Sequence, residues 1–355
     1  MKKMQQVTKL TAVLGLSAML MTGCGLFGPE QETSAPIDAP PGTEVSVDGI
    51  STDPNAAAGD QASAEATQGS VDRMVYLQDA NGYVVPVSLT LPKSEGAAKQ
   101  VLTYMVKGGP VETLLPEGFT PILPEGTKVL GMTIKDGTAT VDFSPEFKKY
   151  EAKDEKKILD AVTRAMTEFT QVKNVSVWVN GTPLTEMPKE NTPLSLMNRN
   201  HGINMELADN AIPGRTTPVT VYFQGQLDDK RSYFVPVTRL IPETKELAKA
   251  VVEELIKGPK EGSPLFSSLL NTTKVLGVEE KNGTLVVNLS EDVLKYDSGK
   301  EANPEAMESL VLSLTESTGL KQVQLMVEGK PLTAAGSMDF SKPVSRPMTL
   351  NAIQF

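Results

Sequence analysis

The 355-residue chain contains one cysteine, one histidine and one tryptophan. A single cysteine excludes any internal disulfide, so stability must come from a buried core. One histidine and one cysteine leave no zinc site of the usual donor set, and no other cofactor site is expected. A histidine-based hydrolytic triad has only His201 to draw on. That residue lies between two halves that otherwise repeat each other, has no counterpart in the second half, and reads as a solvated loop residue. Basic runs are also missing. The chain carries 34 Lys and Arg against 44 Asp and Glu, a net charge of −10. No basic run is present to release counterions from phosphates, so no nucleic acid is expected as a partner. Gly108-Gly109 runs into Pro110 without the Walker spacing, which argues against a phosphate cradle. Long apolar runs are scarce as well: Leu10 to Met21 stands alone and is too short to span a bilayer as a stable helix.

What is there begins at that run. Lys2, Lys3 and Lys9 precede it, and Met21-Thr22-Gly23-Cys24 closes it. A charged n-region, an apolar h-region and small residues before a cysteine resemble the signal of bacterial lipoproteins, with Met21 where leucine is usual. The resemblance implies cleavage between Gly23 and Cys24, with Cys24 carrying the lipid (diacylglyceryl and palmitate). Residues 1–23 are then a signal peptide, and the protein sits on the extracytoplasmic face of the cell membrane through its lipid anchor. Residues 24–70 shift to Ala, Gly, Ser, Pro, Gln and Asp with almost no aromatics. Such a composition buries too little apolar area to offset ordering entropy, so a disordered tether is expected. Its mean reach as a coil is roughly 35–40 Å.

The rest of the chain is written twice. Val75-Tyr76-Leu77-Gln78 returns as Val221-Tyr222-Phe223-Gln224, and Tyr83-Val84-Val85-Pro86-Val87 as Tyr233-Phe234-Val235-Pro236-Val237. Met105-Val106-Lys107-Gly108 recurs as Leu255-Ile256-Lys257-Gly258, Lys128-Val129-Leu130-Gly131 as Lys274-Val275-Leu276-Gly277, and Val141-Asp142-Phe143-Ser144 as Val287-Asn288-Leu289-Ser290. Copies lie about 146 to 150 residues apart, too long a period for a solenoid and right for tandem domains. The boundaries are 71–200 for the first domain, 201–215 for a linker and 216–355 for the second domain.

Periodicity within each copy predicts the fold. Val75 to Gln78 and Tyr83 to Leu91 read as two strands joined at Asp79-Ala80-Asn81-Gly82, and Ser94 offers an N-cap for a helix carrying Ala98, Val101, Leu102 and Met105. Its twin carries Leu247, Ala248, Val251, Val252 and Leu255 and stops at Lys257-Gly258-Pro259. Asp136-Gly137 and Asn282-Gly283 each suit a type I′ hairpin turn. Ala139, Val141 and Phe143 then alternate inward, as do Leu285, Val287 and Leu289. A second helix follows with Ile158, Val162, Ala165, Met166 and Phe169. Its twin opens on Asn303-Pro304-Glu305 and carries Met307, Leu310, Val311 and Leu314. Strands at Val175–Val179 and Val323–Val327 close each copy. The prediction is an α+β fold: two tandem copies of a small mixed β-sheet with two helices packed on it, in the order β-β-α-β-β-α-β.

That order of motifs, present twice, resembles the GerMN domain family. The resemblance implies a relation to ring-building folds. It also implies a non-catalytic scaffold or assembly role in sporulation and spore germination, at a channel complex between mother cell and forespore. The partners it implies are other envelope or sporulation-channel proteins, or further copies of the chain. A different class of function is a peptidoglycan-binding or peptidoglycan-hydrolysing protein, since sugar cleavage needs only two carboxylates about 5–10 Å apart. Asp142, Glu146, Glu291 and Asp292, just after the central hairpins, would supply them, although acids there commonly face water or favour a helix start. Lys153 to Lys157 reads as a solvated first helical turn. Trp178, with Met326 in the second copy, points away from the valine face of its strand and is a candidate partner-facing aromatic.

Overall fold

The computed structural model describes residues 69–228, 231–295, 301–335 and 338–352. The signal peptide, Gly23, Cys24 and nearly all of the expected tether lie outside the described residues. Among the described residues no helix is long and apolar enough to cross a membrane.

In the first repeat β1 (Ser70–Asp79) and β2 (Val84–Pro92) form an antiparallel hairpin. The Asp79 carboxylate closes its turn by accepting from the Asn81 and Tyr83 N–H groups at 3.0 and 2.8 Å. Then come α1 (Ala97–Thr103), the short β3 (Phe119–Thr120), β4 (Val129–Lys135), β5 (Thr138–Phe143), α2 (Glu155–Thr167), β6 (Asn174–Val179) and β7 (Thr182–Pro183). The second repeat runs β8 (Glu206–Leu207), β9 (Thr216–Asp228), β10 (Arg231–Pro242), α3 (Leu247–Lys257), β11 (Val275–Lys281), β12 (Thr284–Leu289), α4 (Pro304–Thr318), β13 (Gln322–Val327) and β14 (Lys330–Pro331).

The predicted order of elements is present in both copies. Asp136 and Gly137 have φ of +50° and +76°, and Asn282 and Gly283 +52° and +77°, as a type I′ turn requires. The Asn303 side chain caps α4 by accepting from the Ala306 N–H at 2.9 Å, with Pro304 at the first helical position. Gly258 ends α3 at φ +84°. Ser94 is not an N-cap: α1 starts two residues later, after Gly96, and the Ser94 hydroxyl accepts from the Gly96 N–H instead.

Each copy holds two sheets rather than one. The hairpin is a sheet of its own, ordered β2-β1-β3 in the first repeat and β8-β10-β9 in the second. The mixed sheet is separate, β4-β5-β6-β7 and β11-β12-β13-β14, with β5/β6 and β12/β13 parallel. A parallel pair needs a crossover, and α2 and α4 supply it. These helices pack against the hairpin strands on one side and the mixed sheet on the other. That position explains why α2 buries Asp160, Thr163 and Arg164 along with its apolar stripe. The core beneath the mixed sheet includes Phe143 stacked on Phe147 at 4.4 Å, both fully buried. Each ring contributes roughly 2–3 kcal/mol of transfer free energy.

The expected linker, 201–215, is mostly part of the fold. Ile203 is fully buried, Ala208 is buried, and β8 pairs in parallel with β10. Arg239 of β10 fixes this segment: its guanidinium meets Glu206 at 2.5 Å and Glu254 of α3 at 2.6 Å, and lies over the Phe223 ring.

Candidate interaction surface and repeat junction

Three of the four carboxylates proposed for sugar chemistry, Asp142, Glu146 and Asp292, are engaged in local structure. Both oxygens of Asp142 accept the Gly181 N–H, at 3.0 and 3.1 Å, which holds the turn after β6. In the second repeat Asn288 does the same for Gly329 at 2.9 Å. An amide serves as well as an acid there, so the position needs an acceptor and no charge. Glu146 is held below its usual range by Ser144 and Lys149, and Asp292 by Lys295 and Ser290. A glycosidase general acid needs the opposite displacement. Glu291 is exposed. Replacing Asp142 by Asn is therefore expected to leave the melting temperature within about 2 °C of wild type. A drop of 10 °C would show that the charge itself matters.

His201 is exposed, as expected, and completes a capping box: its Nδ1 accepts the Asn198 N–H at 3.2 Å. Trp178 lies half-buried on the outer face of β6, opposite Asp142 and Pro183, with its indole N–H donated to Ser176. The Lys153–Lys157 stretch is only partly a solvated turn. Lys153 is exposed, but Glu155 is buried and accepts from the N–H groups of Lys189, Glu190 and Thr192 and the hydroxyls of Thr192 and Tyr150. Burial alone would raise its pKa; these donors hold it at about 2.

The two repeats meet through reciprocal contacts. Strands β2 and β10 lie side by side, but Pro86 and Pro236 lack the N–H a ladder needs, so the strands do not pair. Two asparagine side chains bridge the gap. Asn204 binds both the N–H and the C=O of Val84 and the C=O of Pro236, each at 2.8 Å. Asn351 binds the N–H and C=O of Phe234 and the C=O of Pro86, at 2.7 to 2.8 Å. Both take positive φ, +47° and +52°, which asparagine tolerates. Their neighbours cross over too: Ile203 exchanges hydrogen bonds with Thr238 of the second repeat, and Leu350 with Ser88 of the first. The segment after each repeat thus docks on the other repeat's hairpin. Tyr233 likewise donates to Asp79 across the junction at 2.8 Å, and its twin Tyr83 reaches Ser263.

Ion pairs fill the centre of this junction. Glu316 of α4 pairs with Arg164 of α2, with Arg199 at 3.0 Å and with Arg346 at 3.4 Å. Arg199 also binds Glu168 at 2.6 Å, and Glu168 accepts from the Tyr76 hydroxyl. Arg346 donates to the Tyr222 hydroxyl at 2.6 Å and lies over that ring. Burial would raise the Glu316 pKa, but the three guanidinium groups hold it far below the usual carboxylate range. Beside the network, burial pushes Asp160 up to about 7 against the pull of Lys156 and Arg164. The aligned copies carried a signal of this junction: Tyr76/Tyr222, Glu168/Glu316, Arg199/Arg346 and Asn204/Asn351 all recur at the repeat spacing.

Both copies also expose the same leucine. The register of β4 on β5 slips between Val129 and Gly131, and that of β11 on β12 between Val275 and Gly277. The extra residue of each bulge, Leu130 or Leu276, is turned outward, 50% and 47% exposed. Each stands on the edge strand of its mixed sheet.

Comparison with known proteins agrees with this architecture. A family described as "Germane: Sporulation and spore germination" matches residues 74–185 and again 220–333. The spore germination protein GerM of Bacillus subtilis is 37% identical over 353 residues, 96% of both chains. The solved tandem GerMN domains of the sporulation protein GerM from Bacillus subtilis superpose with a TM-score of 0.75 at 39% identity, covering 81% of this chain and all of that one. The chain belongs to the Germane family of sporulation and spore germination proteins and carries its domain twice, as tandem GerMN domains.

Proposed function

We propose that this protein is a non-catalytic scaffold of the spore-forming cell envelope, anchored through lipid on Cys24, which presents its two repeats to other envelope proteins at a channel complex. The observation that carries the reading is the duplicated bulge. Two equivalent edge strands each hold an exposed leucine, an arrangement that costs solvation and serves no core. The use of Asp142 and Asn288 as interchangeable turn acceptors supports the non-catalytic part.

The test is complementation of a deletion in the native host. Leu130→Asp with Leu276→Asp is expected to accumulate normally yet lower heat-resistant spores by at least tenfold. Cys24→Ala is expected to fail as well, while Asp142→Asn rescues fully. Full rescue by the double leucine variant would remove the scaffold surface from the reading. Failure of a stably accumulated Asp142→Asn protein would favour carboxylate chemistry on the cell wall instead.

A further inference from the structure

The hairpin sheets of the two repeats differ at one edge. Opposed residues in an antiparallel pair alternate between exchanging hydrogen bonds and directing theirs outward. The Ser88 N–H goes to Leu350, and Pro86 has none, so Met74/Ser88 and Tyr76/Pro86 are outward-directed pairs, as is Asp72/Thr90. The N–H and C=O groups of Asp72, Met74 and Tyr76 therefore face the side of β1 away from β2. On the same side of β9 the groups of Thr220 and Tyr222, the equivalents of Met74 and Tyr76, are taken, and Pro218, in the place of Asp72, has no N–H. Thr220 N–H and C=O both bond the Ser317 hydroxyl at 2.9 Å, Tyr222 N–H bonds Ser313 at 2.8 Å, and Tyr222 C=O accepts from Ser309. The first repeat has Ala161, Ala165 and Phe169 where α4 and its end carry those serines. None has a hydrogen-bonding side chain.

Tyr76 is covered by α2, but beside Asp72 and Met74 the edge opens on a cavity of about 260 Å³ lined by Val101, Phe169 and Met348 and, at its inner end, by the ion-paired Glu168 and Arg346. Arg73 also lines it. This arginine is 8% exposed, its Nε is buried without a partner, and its guanidinium has no ion pair among the described residues. A strand edge and a buried cation without partners among the described residues, beside a partly apolar cavity, together suit an extended, partly apolar, acidic peptide.

We propose that this edge accepts an added β-strand, and that its occupant is the chain's own segment from Thr43 to Asp48. Residues 24–68 lead directly into β1, so their effective concentration at its open edge is on the order of millimolar. They carry eight Asp and Glu and no Lys or Arg. Within them, Thr43-Glu44-Val45-Ser46-Val47-Asp48 alternates β-branched with polar residues and brings acids to meet Arg73. About 20 residues lie between this segment and β1, ample to fold back. Docking would shorten the reach of the segment before β1, and a competing strand would release it.

Amide hydrogen exchange of the full chain, resolved at Asp72 and Met74 by NMR, tests the proposal. Both amides are expected to exchange at least tenfold more slowly in the wild type than in a variant lacking residues 42–49 or in Val45→Asp with Val47→Asp. The Tyr222 amide, already bonded to Ser313, is expected to keep one rate throughout and serves as the folding control. Arg73→Gln is expected to reduce the protection several-fold. Equal exchange in all forms overturns the proposal. Fast exchange throughout means an empty edge. Slow exchange throughout means a different occupant, and its dependence on protein concentration identifies a second copy.

Discussion

Glu316→Gln is expected to lower the stability of the described body by about 3–5 kcal/mol, the usual cost of removing one partner from a buried ion pair. Glutamine keeps the size and loses the charge, leaving Arg164, Arg199 and Arg346 around Glu168 alone. Arg164 would then be buried without a carboxylate, and the partly exposed Arg346 would lose its own. Urea unfolding followed by the single tryptophan makes the experiment specific. Trp178 belongs to the first repeat and Glu316 to the second, so a shift in the tryptophan transition reports coupling between them. A change below 1 kcal/mol would mean that water substitutes for the carboxylate. Arg164→Leu is the control: the second repeat already has Leu312 at that position, and removing the cation also relieves the excess positive charge, so its cost is expected to be under about 2 kcal/mol.

Glu155→Ala comes next, at roughly 3 kcal/mol or more, because it strands several backbone N–H donors of the 189–192 loop away from any acceptor. It also carries a pH signature. The folded pKa of about 2 lies below the ordinary glutamate value, so the wild-type contribution is complete above about pH 4.5 and is lost as pH falls toward 2. The wild type should lose its advantage over Glu155→Ala across that window. Asp160 works in the opposite sense. Its folded pKa, raised to about 7, means that stability declines as pH rises from about 4 to 7, in both proteins alike. Denaturation midpoints at pH 2.5, 4.5 and 7 separate the two. A constant gap between wild type and variant down to pH 2.5 would show that Glu155 acts by packing rather than by charge.

Much of the architecture could be read from the residues because local signals agreed with one another. The Asp-Gly and Asn-Gly turns, the Asn-Pro-Glu start of α4 and the alternation through Val141 and Val287 each name an element, and the duplication supplies a second reading of each. The surroundings of α2 could not be read that way. A helix held between two sheets buries polar residues along with apolar ones, so Glu155 looked like part of a solvated turn and Arg164 had no place in the predicted apolar stripe. The segment 201–215 looked like a linker for the same kind of reason. Ile203 gains its role from Thr238, and Asn204 from holding Val84 to Pro236, and both Thr238 and Pro236 lie in the other repeat. Contacts between repeats leave no periodicity within either one. Leu130 was visible as part of a repeated motif, but an outward-turned side chain follows from a register slip that no pattern in the residues announces.

The exchange of terminal segments between the repeats has a consequence for how the protein can associate. A self-complementary patch, used twice around one axis, ordinarily makes a dimer from two chains. Here both halves of that patch belong to one polypeptide, and each is already filled by the other: Asn204 and Ile203 on one side, Asn351 and Leu350 on the other. Among the described residues, closure within the chain fills both halves of the patch. Any larger assembly must therefore grow through surfaces that point outward, and each molecule brings two related copies of those surfaces, fixed at one angle and joined as a bivalent unit.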